Sequence, residues 1–344
     1  MGIRSKSTMI GRNRWIVAFC VGIVALLLVP LVASNYGEDL VLQALVFAIL
    51  AISWNLLAGY AGQISLGHAA FFGIGAYVSA WLTTPSAAGL PEWLLVPAVL
   101  AILVGGVAAA VLALLTGPAM FRLRGHYFAI GTLALAAIIQ LLLNNERSLS
   151  GGATGFYVHN ELGEVGVYYL AVLALIVIFL VTYYLKRGRL GLGVQAVRDD
   201  EDAASTLGVN PLRYKMWAFL LSSFFAGIAG GLYGQYTLYL NASSTLGVAW
   251  TIDTLVIVIL GGMGTVYGPL FGTAVFMLID KLFSQVAGGL ATTLEGVLII
   301  LFVIFLPQGL YGYVHEQFVD DVGTEAEPVT DTDPDSRVGS EVNN

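Results

Sequence analysis

Long apolar segments separated by short polar ones follow one another along the chain from Trp15 to Tyr313. Most of them are close to the roughly 17–25 residues that an α-helix needs to cross a bilayer. Between residues 252 and 284 the glycine-rich stretch GGMGTVYGP interrupts the apolar pattern, which predicts two short passes or half-helices. The pattern predicts an all-α polytopic membrane protein of about ten transmembrane helices or half-helices. Besides the two in 252–284, the predicted spans are 15–33, 39–57, 64–84, 93–117, 126–143, 166–185, 216–237 and 292–313.

The composition agrees with a lipid environment. Apolar residues make up 58% of the 344 residues and charged residues 11%, whereas a soluble domain has about 25% charged residues.

The first apolar segment resembles the core of a signal peptide, but it is longer than the roughly 7–15 residues of such a core, so we predict a first membrane span. Cys20 is the single cysteine; it cannot form a disulfide within the chain, and we expect it to be a packing residue in this span.

The lysine and arginine residues predict the orientation in the membrane. Twelve of the fifteen precede the first span or lie between the fourth and fifth or the sixth and seventh spans. These segments share one side of the predicted topology, and the positive-inside rule makes that side cytoplasmic. We therefore predict a plasma-membrane protein with cytoplasmic termini, divided into a basic N-terminus (1–14), a membrane domain (15–313) and a C-terminal tail (314–344).

The C-terminal tail accounts for most of the negative charge. From Glu316 onward it carries nine acidic residues and one arginine, a net charge of −8, whereas the whole chain has a net charge of −7. Such a segment cannot bury enough apolar surface to fold, and we predict that it is disordered and solvated. The rest of the chain is then close to neutral, so nothing in the charge pattern indicates nucleic-acid binding.

Residues 59–77, GYAGQISLGHAAFFGIGAY, combine five glycines with polar side chains inside an apolar region. Polar groups in hydrocarbon are costly unless they are paired, and a broken helix within a membrane lies against protein or a water-filled cavity. One interpretation is a kinked element that lines a solute path; the other is that single polar side chains tie neighbouring helices together. The candidate path residues of this stretch and of the second glycine-rich break are Asn55, Gln63, Ser65, His68, Gly73, Gly261, Gly262 and Gly264.

Two features of the apolar segments have simpler explanations. We expect His68 to bridge helices by hydrogen bonding rather than to bind a metal or carry protons, because a lone histidine in a membrane segment more often does so. Ala226, Gly230 and Gly234 share one helical face, and the segment 105–110 is similarly rich in small residues. These small residues predict close helix packing.

The charged segment 186–215 lies between two predicted spans. Its sequence predicts one or two short helices between residues 194 and 207, with Asp199 or Asp200 as the N-cap of the second helix and Gly208 at its C-terminal stop. A short, charged helix of this kind lies on lipid headgroups or docks into a partner. The mixed charges of this segment favour docking over headgroup binding.

Several motifs together resemble the LivM-type permease subunits of branched-chain amino-acid ABC importers. They are the stretch 59–77, RGHYFAIGTLALA from Arg124, GGATGF from Gly151, GLGVQAVRDDEDAASTLGVNPLRYKMWAF in the charged segment, and GGMGTVYGPLFG from Gly261. They occur in the family's order and cover residues 40–312. The N-terminal segment is less typical of the family, and the acidic tail lies outside its pattern.

The resemblance implies that residues 15–313 form a permease domain with specific partners. These partners are a second homologous permease, two ABC ATPase subunits that bind ATP and magnesium, an external solute-binding protein and the membrane lipid. The chain itself would then contain no cofactor. The resemblance also makes the segment 186–215 the loop that couples the permease to the ATPases, with candidate coupling residues Arg198, Asp199, Glu201, Asp202, Ala203, Ala204 and Gly208.

The alternatives are another substrate or another class of protein. Urea and short-chain amides are alternative substrates of the same importer class. An ion-coupled secondary transporter is disfavoured because Asp253, Asp280, Lys281 and Glu295 fall near predicted span ends. An intramembrane enzyme is disfavoured because neither a nucleophile motif nor a metal motif is present. The dipeptide Gly-Lys does not occur, so the chain has no GxxxxGK[ST] phosphate loop and no ATPase motif of its own.

Overall fold

The computed structural model describes residues 21–287 together with residues 293, 296 and 297. This part of the chain is helical apart from short turns and one pair of two-residue strands, which confirms the predicted all-α class. The basic N-terminus, Cys20, most of the predicted last span and the acidic tail lie outside the described residues.

The described chain contains seven long helices, two shorter apolar ones and several short helices. A turn of π-helix, Leu56–Tyr60, continues α2, and short 3₁₀ turns occur at Pro85–Ala88, Glu92–Leu94 and Gly152–Thr154. Six helical segments of the described residues are long and apolar enough to cross a membrane. In chain order the helices are α1 (Val21–Val32), α2 (Asn35–Asn55), α3 (His68–Thr83), α4 (Ala98–Met120), α5 (His126–Asn145), α6 (Arg147–Ser150), α7 (Gly163–Arg187), α8 (Arg189–Asp199), α9 (Glu201–Thr206), α10 (Pro211–Thr237), α11 (Ala242–Thr245), α12 (Val248–Gly261) and α13 (Gly268–Ala287).

The described helices follow the predicted spans in order, and the last predicted span, 292–313, lies almost entirely outside the described residues. The interrupted region 252–284 forms two separate helices, α12 and α13, as predicted. α3 begins at His68 rather than at residue 64, and α4 begins at Ala98 rather than at residue 93. Residues 62–67 are non-helical because Gly62 has a positive φ of 67°, which ends the preceding helix.

α2 and α10 form the centre of the bundle. Of the most apolar part of Asn35–Tyr60, 78% is buried within the protein, compared with 28% for α5, which lies at the periphery. α3 and α4 pack on α10, and α7 packs on α2. Three adjoining hydrophobic clusters result, the largest of which joins α2, α7 and α10 around Ile49, Tyr168 and Phe219.

Small residues allow α3, α4 and α10 to approach closely, as the sequence predicts. A Cβ atom on Gly230 would lie 1.8 Å from the carbonyl oxygen of Phe72, and one on Gly105 would lie 2.6 Å from the carbonyl oxygen of Gly75. In both cases the obstacle is the backbone of the neighbouring helix rather than a movable side chain. The glycines therefore set the distance between these helices.

The opposite end of the bundle from α8 and α9 carries a small cap. Strand β1 (Phe156–Tyr157) pairs antiparallel with strand β2 (Tyr239–Leu240), so that Phe156 faces Leu240. Leu240 is fully buried, and the Tyr157 ring lies 5.3 Å from the Tyr239 ring. This pair of strands was not predicted, because two-residue strands leave no periodic pattern in a sequence.

Replacing Gly230 with alanine tests the close packing of α3 and α10. The added methyl group meets the Phe72 backbone, so we expect Gly230→Ala to lower the free energy of unfolding by about 1–3 kcal/mol, measured by thermal unfolding in detergent. Gly22→Ala is the matched control, because a Cβ atom there meets nothing within 4 Å. The control should be neutral or stabilising, since alanine favours helices over glycine; equal effects of the two variants would contradict the packing assignment.

Candidate coupling site

Two glycine-rich breaks face each other across the end of the bundle that carries α8 and α9. At the first break, α2 continues into the π-helical turn Leu56–Tyr60. This helical segment ends at Gly62, which has a positive φ. A Cβ atom on Gly59 would lie 2.0 Å from Oδ1 of Asn55 and 2.7 Å from the amide nitrogen of Gly264, so no other residue fits there without rearrangement. A π-turn inside a helix often marks a functional position.

The second break separates α12 from α13. Gly262 and Gly264 have φ angles of 108° and 80°, a backbone conformation that side chains rarely adopt. Thr265 closes the turn: its hydroxyl donates to the carbonyl oxygen of Gly262 at 2.7 Å and accepts from the amide of Gly268 at 3.0 Å. The glycine content of GGMGTVYGP thus produces a defined turn that holds two half-helices.

Asn55 joins the two breaks. Its Oδ1 accepts from the amide of Gly264 at 2.8 Å, and its Nδ2 donates to the carbonyl oxygen of Thr265 at 2.8 Å. The side chain is fully buried. Because both halves of the amide are used, the backbone of the second break is held by a residue about 210 positions earlier in the chain.

Arg198 and Lys186 connect these breaks to the charged segment. Nη1 of Arg198, on α8, donates to the carbonyl oxygen of Gly59 at 2.5 Å. Nζ of Lys186, at the end of α7, donates to the carbonyl oxygen of Gly264 at 3.3 Å and lies 5.6 Å from the centre of the Tyr60 ring. We define the glycine junction as Asn55, Gly59, Lys186, Arg198 and Gly264.

The short helix α9 is fixed locally by two predicted signals. Asp200 caps α9 by accepting from the amide of Ala203 at 2.9 Å, which selects Asp200 over Asp199 as the cap. Gly208, with φ of 84°, ends the helix, and the amides of Gly208 and Val209 bond back to the carbonyls of Ser205 and Ala204. This pattern is a Schellman motif.

An ion pair attaches α9 to the base of α10. Nζ of Lys215 lies 2.5 Å from a carboxylate oxygen of Glu201, and the lysine side chain is 8% exposed. A lysine buried to this degree needs a partner of opposite charge. Removing the Glu201 carboxylate would leave that charge unpaired, so the ion pair holds α9 against the bundle.

The remaining candidate coupling residues lie on the surface of this segment. Asp199, Asp202, Ala203 and Gly208 are exposed, whereas Ala204 is buried. Leu207, which the sequence analysis did not single out, is 84% exposed at the tip between α9 and α10. A single exposed apolar side chain is common on protein surfaces, so Leu207 alone does not identify a docking surface.

The remaining candidate path residues do not gather at the glycine junction. Gln63 is half-buried in the link before α3 and donates weakly to the carbonyl of Ala61 at 3.4 Å. Ser65 is buried; its hydroxyl accepts from the amide of Gly67 at 3.2 Å. Gly73 makes room for Leu246, since a Cβ atom there would lie 2.3 Å from Cγ of that leucine.

His68 lies between three helices at the start of α3. Its Nε2 is 2.7 Å from the hydroxyl of Ser222, and that hydroxyl donates to the carbonyl oxygen of Ser53 at 2.6 Å. Since the hydroxyl proton is already used, Nε2 must carry the ring proton and donate to Ser222. This geometry favours the helix-bridging interpretation, and in the described part of the chain no group of three or more potential ligands is placed to hold a metal ion.

Sequence reasoning missed Lys186 and Gly59 as members of the junction. Lys186 was counted only as a positive charge on the cytoplasmic side, and Gly59 only as part of a glycine-rich stretch. The pattern of Asn55 and Gly59 one helical turn apart at a helix end was the available signal, because an amide and a glycine at that spacing share one face.

Comparisons with known proteins place these features in a family. A family model described as branched-chain amino acid transport system / permease component matches residues 36–306. The chain is 30% identical over 312 residues to the high-affinity branched-chain amino acid transport system permease protein LivM of Escherichia coli K12, covering 82% of this chain and 71% of the relative. The corresponding LivM of Salmonella typhimurium is 29% identical with the same coverage.

The chain also resembles a second kind of permease. The high-affinity branched-chain amino acid transport system permease protein LivH of Escherichia coli K12 is 26% identical over 289 residues, covering 77% of this chain and 91% of the relative. No solved structure matches the chain significantly. The matched residues 36–306 include both glycine breaks and the whole segment 186–215.

Replacing Asn55 with leucine tests the link between the two breaks. The variant keeps a similar volume but loses both hydrogen bonds, so we expect it to lower the free energy of unfolding by about 2–3 kcal/mol, measured by thermal unfolding in detergent. Asn145→Leu is the matched control, because the exposed amide of Asn145 donates only within its own helix, to Leu141. If both variants unfold at the same temperature, Asn55 does not hold the breaks together.

Proposed function

The chain belongs to the family of permease components of branched-chain amino acid transport systems, and on that premise we propose that it is the permease subunit of an ATP-driven importer of leucine, isoleucine and valine. The E. coli and Salmonella relatives carry this substrate class in their names. The bundle of apolar helices supports a multi-pass membrane location. In this proposal the chain forms part of a conduit and catalyses no reaction.

The observation that carries the proposal is the attachment of the segment 186–215 to both glycine breaks. α8 holds the π-turn through Arg198, and α9 is bound to α10 through the Glu201–Lys215 ion pair. At the same time Asp202 and Leu207 are exposed. A short helix pair that is anchored on one face and free on the other is suited to transmit the movement of a docked partner to the membrane helices.

The energy must come from partner subunits. The chain has no phosphate-binding loop, so ATP and magnesium would be bound by two ABC ATPases that dock on α8 and α9. ATP binding favours one arrangement of those ATPases, and a ligand shifts an equilibrium only by binding one state better than the other. Moving α8 would displace the carbonyl of Gly59 and, through Asn55, the turn at Gly264.

The remaining partners follow from the same proposal. A second, homologous permease would complete the path, and the similarity of this chain to both LivM and LivH relatives supports such a pair. An external solute-binding protein would deliver the amino acid on the side opposite α8. The segment 186–215 and the basic turn at Arg122 and Arg124 would then face the cytoplasm, as would both termini.

Uptake by membrane vesicles that contain the assembled importer tests the function. We expect labelled leucine to accumulate only when ATP and the binding protein are present, because the chain has no energy source of its own. Labelled urea should not accumulate; uptake of urea in place of leucine would change the substrate but keep the importer class. Leucine accumulation by the purified chain alone, driven by an ion gradient, would contradict the proposal.

A further inference from the structure

α12 begins beside the middle of α10 rather than level with the outer end of that helix. The amide of Ala69 donates to the hydroxyl of Thr251 at 3.0 Å, next to His68, which bonds to Ser222. Ser222 lies 11 residues after the start of α10 and 15 before its end, or about 16 and 22 Å at 1.5 Å per residue. Thr251 therefore lies at the level of the middle of α10.

The chain that leads to α12 runs from the end of α10 back to the level of its middle without forming a long helix. Residues 238–247 contain one helical turn, α11, and end at Gly247, where no side chain caps α12. Ser243 and Ser244 in this segment are exposed. The amides of Gln140 and Asn144 on α5 bond to Ser243 at 3.2 Å, which adds two polar side chains to the same surface.

The exposed face of α12, which continues inward from this segment, also carries the apolar side chain of Ile252, which is 50% exposed. Ala249 is exposed, and Asp253 is half-buried one turn further along the same face. Asp253, which was expected near a span end, is the sixth residue of α12 and lies two residues after Thr251.

Lipid is an unfavourable neighbour for such a surface. Non-helical backbone at membrane depth is found only where it is buried in protein or lines a water-filled cavity, and a carboxyl group inside a membrane faces a bundle interior or an aqueous path. By contrast, the exposed face of α4 is apolar, with Leu103, Val107 and Val111 about half exposed. The two surfaces differ in chemistry and need different surroundings.

We propose that the surface formed by Ser243, Ser244, Ala249 and Asp253, here called the polar face, lines the water-filled translocation path opposite the second permease. This inference rests on the proposed function and assigns the side of this chain that the amino acid passes. The hydroxyl of Ser244 donates to the carbonyl of Asn241 and that of Ser243 pairs with the amide of Asn144, so each hydroxyl oxygen keeps a lone pair that can accept a bond from water or a polar solute. The small side chain of Ala249 leaves the path open, so a bulky group at that position should block it.

Cysteine labelling in the assembled importer tests the polar face. In a Cys20→Ala background, Ser244→Cys and Ala249→Cys would be treated with a charged, membrane-impermeant methanethiosulfonate, with Val107→Cys on α4 as the control. Thiols react as thiolates, which form in water and not in lipid, so we expect at least about tenfold faster labelling of both variants than of the control. Labelling of Ala249→Cys should also abolish leucine uptake.

The outcomes separate this inference from the proposed function. Failure of the Cys20→Ala importer to take up leucine with ATP would count against the proposed function. Normal uptake together with labelling of Ser244→Cys and Ala249→Cys as slow as that of Val107→Cys would overturn the polar face. Complete modification of Ala249→Cys with unchanged uptake would likewise overturn it, because a group that large cannot share the path with the solute.

Discussion

The two hydrogen bonds of the buried Asn55 amide are the constraint on which the arrangement of this protein depends. They hold the turn at Gly264 against the π-turn at the end of α2. A buried amide is costly unless both its donor and its acceptor are satisfied. Because only glycine fits at residue 59 beside this amide, the break in α2 and the break between α12 and α13 form one unit.

Under the proposed function, this unit would let a partner that docks on the segment 186–215 act on the apolar helices. Arg198 and Lys186 bond to backbone carbonyls of the two breaks, so α7 and α8 are attached where the membrane helices are discontinuous. A continuous helix would resist such movement along its whole length, whereas a discontinuity can shift without breaking a ladder of hydrogen bonds. The Glu201–Lys215 ion pair attaches α9 to α10, so that the two helices would move together.

The sequence predicted the structural features that depend on residues close together along the chain. Apolar periodicity located the spans, and Asp200 and Gly208 were identifiable as helix boundaries because capping is a local interaction. The sequence did not predict that Asn55 binds the backbone of Gly264, because no local pattern indicates a contact between residues 209 positions apart. The start of α12 beside the middle of α10 was missed for the same reason: it follows from the contact between Ala69 and Thr251.

The most direct test of this account is the amount of leucine taken up per ATP hydrolysed by the assembled importer carrying Arg198→Gln. Arg189→Gln, at the exposed start of α8, is the control. The account predicts that the Arg198 variant assembles and hydrolyses ATP but transports at least about tenfold less leucine per ATP, as expected when roughly 1–3 kcal/mol of coupling is lost. An unchanged ratio in this variant would show that the bond from α8 to the π-turn does not transmit the movement.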